Sequence, residues 1–130
     1  MESNNSIPVQ VACAEHASLF HYTDEQGLLG ILGSGALLPS LRASNPKDAR
    51  YGDGYYLSDI YPGTMSLYQL SRRLVGVPWK SQRFTHYVEL DVAGLALALC
   101  RDNVFLVPGR EPLPLEGRIE RWGTNEWSGT

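Results

Sequence analysis

NPKDARYGDGYYLSDI (45–60) holds a loop and a strand back to back. Its first half carries Asn45, Pro46, Lys47, Asp48 and Arg50 without any apolar period, so it belongs to a loop spanning 41–54. A loop of that length in a small domain points to function rather than to mere connection. The character then changes: Gly54-Tyr55-Tyr56-Leu57-Ser58 is strand-like, because aromatic side chains pack well on a pleated surface. Gly52 and Gly54 bracket its start, where a missing Cβ lets the backbone bend and approach a ligand closely.

Towards the N-terminus, Ser18-Leu19-Phe20-His21-Tyr22 predicts a strand, and Thr23-Asp24-Glu25-Gln26 matches a capping box with Thr23 as the cap. Leu28, Leu29, Ile31 and Leu32 give the following helix an apolar face, and Gly33 or Gly35 supplies its stop. On the other side, Pro62-Gly63-Thr64 leads into a second helix carrying Met65, Leu67, Leu70 and Leu74. Beyond it, Phe84, His86, Val88, Leu90 and Val92 share one parity and Thr85, Tyr87, Glu89 and Asp91 the other, the mark of a half-buried strand. Leu95, Leu97 and Leu99 alternate with Ala96 and Ala98; a short apolar run at 104–107 and one further strand at 113–122 complete the chain. Two helices early and strands mostly late predict an α+β domain, the helices packed on mixed or antiparallel strands around a cleft, rather than a doubly wound parallel sheet. Residues 1–17 read as a flexible lead-in and 18–130 as one domain.

A chain of 130 residues with 43% hydrophobic and 19% charged residues is long and apolar enough to bury a core without staples. Its net charge of -3 offers no global field for nucleic acid, and Arg72-Arg73 and the 80–83 cluster read as solvated faces. Cys13 and Cys100 lie too far apart for ligand spacing, and the three histidines form no paired motif, so no metal is expected. Neither an export-type apolar core nor a spanning apolar run occurs, which reads as a soluble chain with no membrane partner.

The candidate chemistry lies in the first two strands. His21 alone would be an ordinary core or edge histidine, and Tyr55 and Tyr56 ordinary strand residues. Thr23 adds a hydroxyl on the side of the strand that His21 occupies, the glycines bracket the tyrosine pair, and Tyr68 follows in the next helix. Such a set suits a flat, positively charged ring like the nicotinamide of NAD, gripped by dispersion and cation–π attraction. Loss of that ring leaves an oxocarbenium-like ribose, which a nearby carboxylate stabilises.

Phe20-His21-Tyr22-Thr23, Gly33-Ser34-Gly35 and Leu38-Pro39-Ser40 resemble the opening of diphtheria-toxin-like and poly-ADP-ribose-polymerase-like transferases. NPKDARYGDGYYLSDI (45–60) and FTHYVELDV (84–92) are similar to the histidine–tyrosine–aspartate class of ADP-ribosyltransferase domains of bacterial polymorphic toxins. The resemblance spans roughly 19–119. It implies NAD as substrate, no metal, and transfer of ADP-ribose to a macromolecule, expected to be a protein. NAD hydrolysis, or an inactive NAD-binding or interaction module on the same fold, are the alternatives. His21, with Tyr22 and Thr23 beside it, would hold the ribose and the nicotinamide amide. Tyr56, next to Tyr55, would stack on nicotinamide with Tyr68 as second wall, and Arg42 and Arg50 would reach the pyrophosphate. For the catalytic acid the resemblance implies Asp102, just before the 104–107 run, with Glu126 as the other choice. It further implies a toxin domain acting in cytoplasm, delivered by a larger protein and countered by an immunity protein.

Overall fold

The structure, a computed structural model, describes residues 9–11 and 18–127. In chain order its elements are β1 (Val9–Val11), β2 (Ser18–Thr23), α1 (Glu25–Ser34), β3 (Ala36–Leu37), β4 (Gly54–Leu57), α2 (Leu67–Val75), a 3-10 segment (Pro78–Phe84), β5 (His86–Asp91), β6 (Leu97–Arg101), β7 (Val104–Pro108), β8 (Leu113–Pro114) and β9 (Ile119–Thr124). The strands form sheets in the orders β1-β6-β7-β4, β2-β5-β9 and β3-β8, and every pairing among them is antiparallel. This is an α+β chain, as its pattern of elements predicts.

Alternation along β2 divides the interior in two. Leu19 points into the larger core, with Leu28 and Ile31 of α1, Tyr55 and Leu57 of β4, and Val88 and Leu90 of β5. Phe20 and Tyr22, on the opposite face, join Ile60, Leu70 and Phe84 in a smaller core beneath α2 and the 3-10 segment. The two larger sheets meet where Phe20 and Ser58 exchange backbone hydrogen bonds of 2.8 Å in each direction. Past that point β2 and β4 part.

Several local details differ from the sequence expectation, each for a physical reason. The cap of α1 is Asp24, whose Oδ1 accepts from the Gly27 N–H at 2.7 Å; Thr23 stays in β2 opposite His86 and is not free to cap. Gly35, at φ 70°, ends the helix in the left-handed conformation and returns its N–H to the Ile31 carbonyl at 2.8 Å. α2 starts at Leu67 behind a complete capping box of Ser66 and Gln69, which leaves Met65 outside the helix. The 3-10 segment is a third helical piece; with Pro78 at its start and no apolar period, it lacks the signal of an amphipathic helix. The strand expected at 113–122 is two strands, β8 and β9, broken at a turn containing Gly117 at φ 77°. Val9–Val11, inside the expected lead-in, pairs with β6. The remainder of that lead-in, with Cys13, lies outside the described residues.

Candidate functional site

The parting of β2 from β4 creates the site. Phe20 uses its N–H and C=O towards β4, so by strand alternation those of Tyr22 point the same way. Continued pairing would place Tyr22 opposite Tyr56, but the pairing stops at Phe20–Ser58. The Tyr22 backbone groups therefore face the gap. A cleft of about 380 Å³ opens there, within the range of small-molecule sites.

His21 spans the gap from β2. Its Nδ1 lies 3.2 Å from the Tyr56 carbonyl oxygen, and since a carbonyl only accepts, Nδ1 carries the proton. Burial lowers the pKa of the ring, partly opposed by that same carbonyl, so the imidazole is neutral near pH 7. Nε2 is then left as an acceptor, suited to a hydroxyl donor such as a ribose OH.

Tyr56 forms the facing wall. Tyr55 and Leu57 point into the larger core, and the alternate residue Tyr56 turns its ring to the cleft. The ring is held at its far end: its hydroxyl donates to the Gly52 carbonyl at 2.6 Å and accepts from the Tyr51 N–H at 3.0 Å. Burial raises its pKa, and it stays a neutral phenol. Tyr22 is locked from behind, its hydroxyl donating to the Ile60 carbonyl at 2.5 Å, and burial likewise raises its pKa.

The opposite wall comes from the 3-10 segment and the 41–53 loop. Arg83 reaches Asp48 through paired hydrogen bonds of 3.1 and 3.3 Å, tying segment to loop beside the cleft. Lys47, Arg50, Lys80 and Arg101 also line the cleft, and the only lining carboxylate among the described residues is Asp48. Arg101 is engaged with the Leu74 carbonyl at 2.8 Å, whereas the Lys47, Arg50 and Lys80 side chains have no partner among the described residues. Trp79 stands at this wall with 73% of its surface exposed.

Of the residues singled out in the sequence, His21, Tyr22, Arg50 and Tyr56 line this one cleft. The others stand elsewhere. Thr23 ends β2 with its hydroxyl against α1, where a Cβ on Gly27 would come within 1.9 Å of it. The Arg42 side chain donates to the Arg50 carbonyl at 3.0 Å and its N–H to Asp53 at 2.7 Å, so Arg42 braces the loop. Tyr55 is buried in the larger core and donates to the Glu111 carbonyl. Tyr68 is 65% exposed on α2, away from the cleft lining. Asp102 is exposed in the turn between cleft-lining Arg101 and Val104, without a partner among the described residues. Glu126 is exposed near the C-terminal end, its carbonyl packed against Gly63.

The sequence reading missed the wall of Lys47, Asp48, Trp79, Lys80 and Arg83. The signal available for it was the run of basic and aromatic residues at 79–84, which no periodicity marks.

No helix among the described residues is long and apolar enough to cross a membrane. No curated protein and no solved structure matches the chain. The family described as HYD1 signature containing ADP-ribosyltransferase matches residues 19–119, from Leu19 in the strand of His21 to the start of β9. The chain belongs to this family of ADP-ribosyltransferase toxin domains.

Proposed function

We propose that the chain is a mono-ADP-ribosyltransferase that cleaves the nicotinamide–ribose bond of NAD in the cleft between β2 and β4. The observation that carries this reading is the juxtaposition of His21 and Tyr56 across the parted strands. Nicotinamide stacks on the Tyr56 ring, whose tether to Tyr51 and Gly52 keeps the face in place. Its carboxamide, a donor and an acceptor, pairs with the Tyr22 backbone C=O and N–H left open in the gap. Nε2 of His21 accepts from a ribose hydroxyl, and Arg50 answers the pyrophosphate.

The acid is assigned to Asp102. Asp48 lies in the cleft, but the Arg83 guanidinium cancels most of the field it would offer a developing cation. Asp102 has no such partner and stands between two lining residues. Stabilising the oxocarbenium-like ribose lets nicotinamide leave with the bonding electron pair, and the acceptor nucleophile then attacks the anomeric carbon. The wild-type protein is incubated with NAD labelled in the adenylate half. Label on a macromolecule supports transfer, free ADP-ribose means hydrolysis at the same site, and intact NAD would contradict both.

A further inference from the structure

The net charge of -3 hides a strong segregation. Between Asp59 and Glu89 there is no aspartate or glutamate, although the chain holds 14 acidic residues against 11 basic ones. Arg72, Arg73, Lys80 and Arg83 all fall in that interval, on α2 and the 3-10 segment, which pack against each other. The same two elements carry exposed aromatic rings, Tyr68 at 65% and Trp79 at 73%. Tyr68 and Arg72 are one helical turn apart on α2 and so share a face.

We infer that this surface binds a single-stranded nucleic acid, and that the strand is the acceptor of ADP-ribose; the acceptor role rests on the function proposed above. Carboxylates alone would satisfy the cations but leave the Trp79 and Tyr68 rings in water. A nucleic acid strand answers both, with phosphates on Arg72, Arg73 and Lys80 and bases stacked on the rings. A duplex does not, because its base faces are already stacked on one another. The location fits as well: Trp79, Lys80 and Arg83 line the cleft itself, so a strand on this surface passes the mouth where the ribose would lie. The transfer balances without a further reactant. The bond from the ribose anomeric carbon to the nicotinamide nitrogen breaks, with its electron pair leaving on nicotinamide. A nitrogen or oxygen of the strand bonds to the same carbon and releases its proton to solvent.

Binding is measured by fluorescence anisotropy of a short labelled mixed-sequence strand, DNA and RNA in turn, without NAD. The expected result is affinity that falls steeply with salt and drops roughly tenfold or more in Trp79→Ala. Arg72→Glu, on the exposed face of α2 and off the cleft, should weaken binding and reduce the salt slope by about 1. It should leave nicotinamide release without acceptor unchanged. With labelled NAD, label should appear on the strand in a form that nuclease removes and protease does not. Equal binding of duplex DNA or inorganic polyphosphate would overturn the inference, as would label on protein alone. NAD cleavage without strand binding would overturn the acceptor inference and spare the enzyme. Strand binding without NAD cleavage would end the transferase reading, and the acceptor role with it.

Discussion

The two walls of the cleft are made in opposite ways. On the β2–β4 wall each side chain is fixed by backbone: His21 by the Tyr56 carbonyl, Tyr56 by Gly52 and Tyr51, Tyr22 by Ile60. On the wall of the 3-10 segment the side chains are charged, half-buried or exposed, and the Arg83–Asp48 pair is the main tie across to the loop. Rigid hydrogen-bonded placement suits one small ring and one bond-breaking event. Loosely held cations around an exposed tryptophan suit an extended anionic partner. One wall carries precision and the other adaptable charge.

The comparison breaks most sharply at the acid. Asp102→Asn should lower turnover by about 100- to 1,000-fold while leaving NAD affinity near wild type. Glu126→Gln, away from the cleft, should change neither; steady-state kinetics and a binding titration on both variants decide the assignment. Next is the frame of the rigid wall. A Cβ at Gly54 would meet the Val107 carbonyl at 2.3 Å and the Pro108 Cα at 3.0 Å, both in the strand paired with β4. Gly54→Ala should therefore cost roughly 3 kcal/mol, read by denaturant unfolding.

Smaller effects sharpen the contrast. Tyr56→Phe keeps the stacking face and loses both tethers to Gly52 and Tyr51. It should raise KM by about tenfold with less change in kcat, since an untethered ring must be ordered on binding. The pH dependence isolates His21. Burial holds its folded pKa below the ordinary histidine value of 6.5, so the unfolded chain binds the extra proton first as pH falls. Its contribution to stability is complete above pH 6.5 and is lost as pH falls through the depressed folded value. Turnover should fall over the same window as Nε2 gains a proton and stops accepting. His21→Gln should remove that limb of the pH profile.

The rigid wall was legible in the sequence because its geometry follows from strand alternation and a pair of glycines. Tyr56 takes the position alternate to core-facing Tyr55 and Leu57, and His21 reaches the Tyr56 carbonyl where the two strands part beyond the Phe20–Ser58 bridge. Thr23 and Arg42 were harder. A hydroxyl two residues along a strand shares the face of His21, but Thr23 ends β2 and abuts α1. Arg42 is close to Arg50 in sequence, yet its guanidinium is spent on the Arg50 carbonyl. Tyr68 sits beyond a chain reversal whose direction no local pattern dictates. The charged wall was illegible for a different reason. Its residues come from a 3-10 segment without period and from a loop, and their charges vanish in a chain-wide sum of -3.

The most direct measurement is nicotinamide release from NAD by the wild-type protein and by Tyr56→Ala, with circular dichroism confirming that the variant is folded. The cleft account predicts release by the wild type and a loss on the order of 100-fold in the variant, since a displaced ring no longer orients the bond to be broken. Wild-type release by a folded Tyr56→Ala, or no release by either protein, would contradict it.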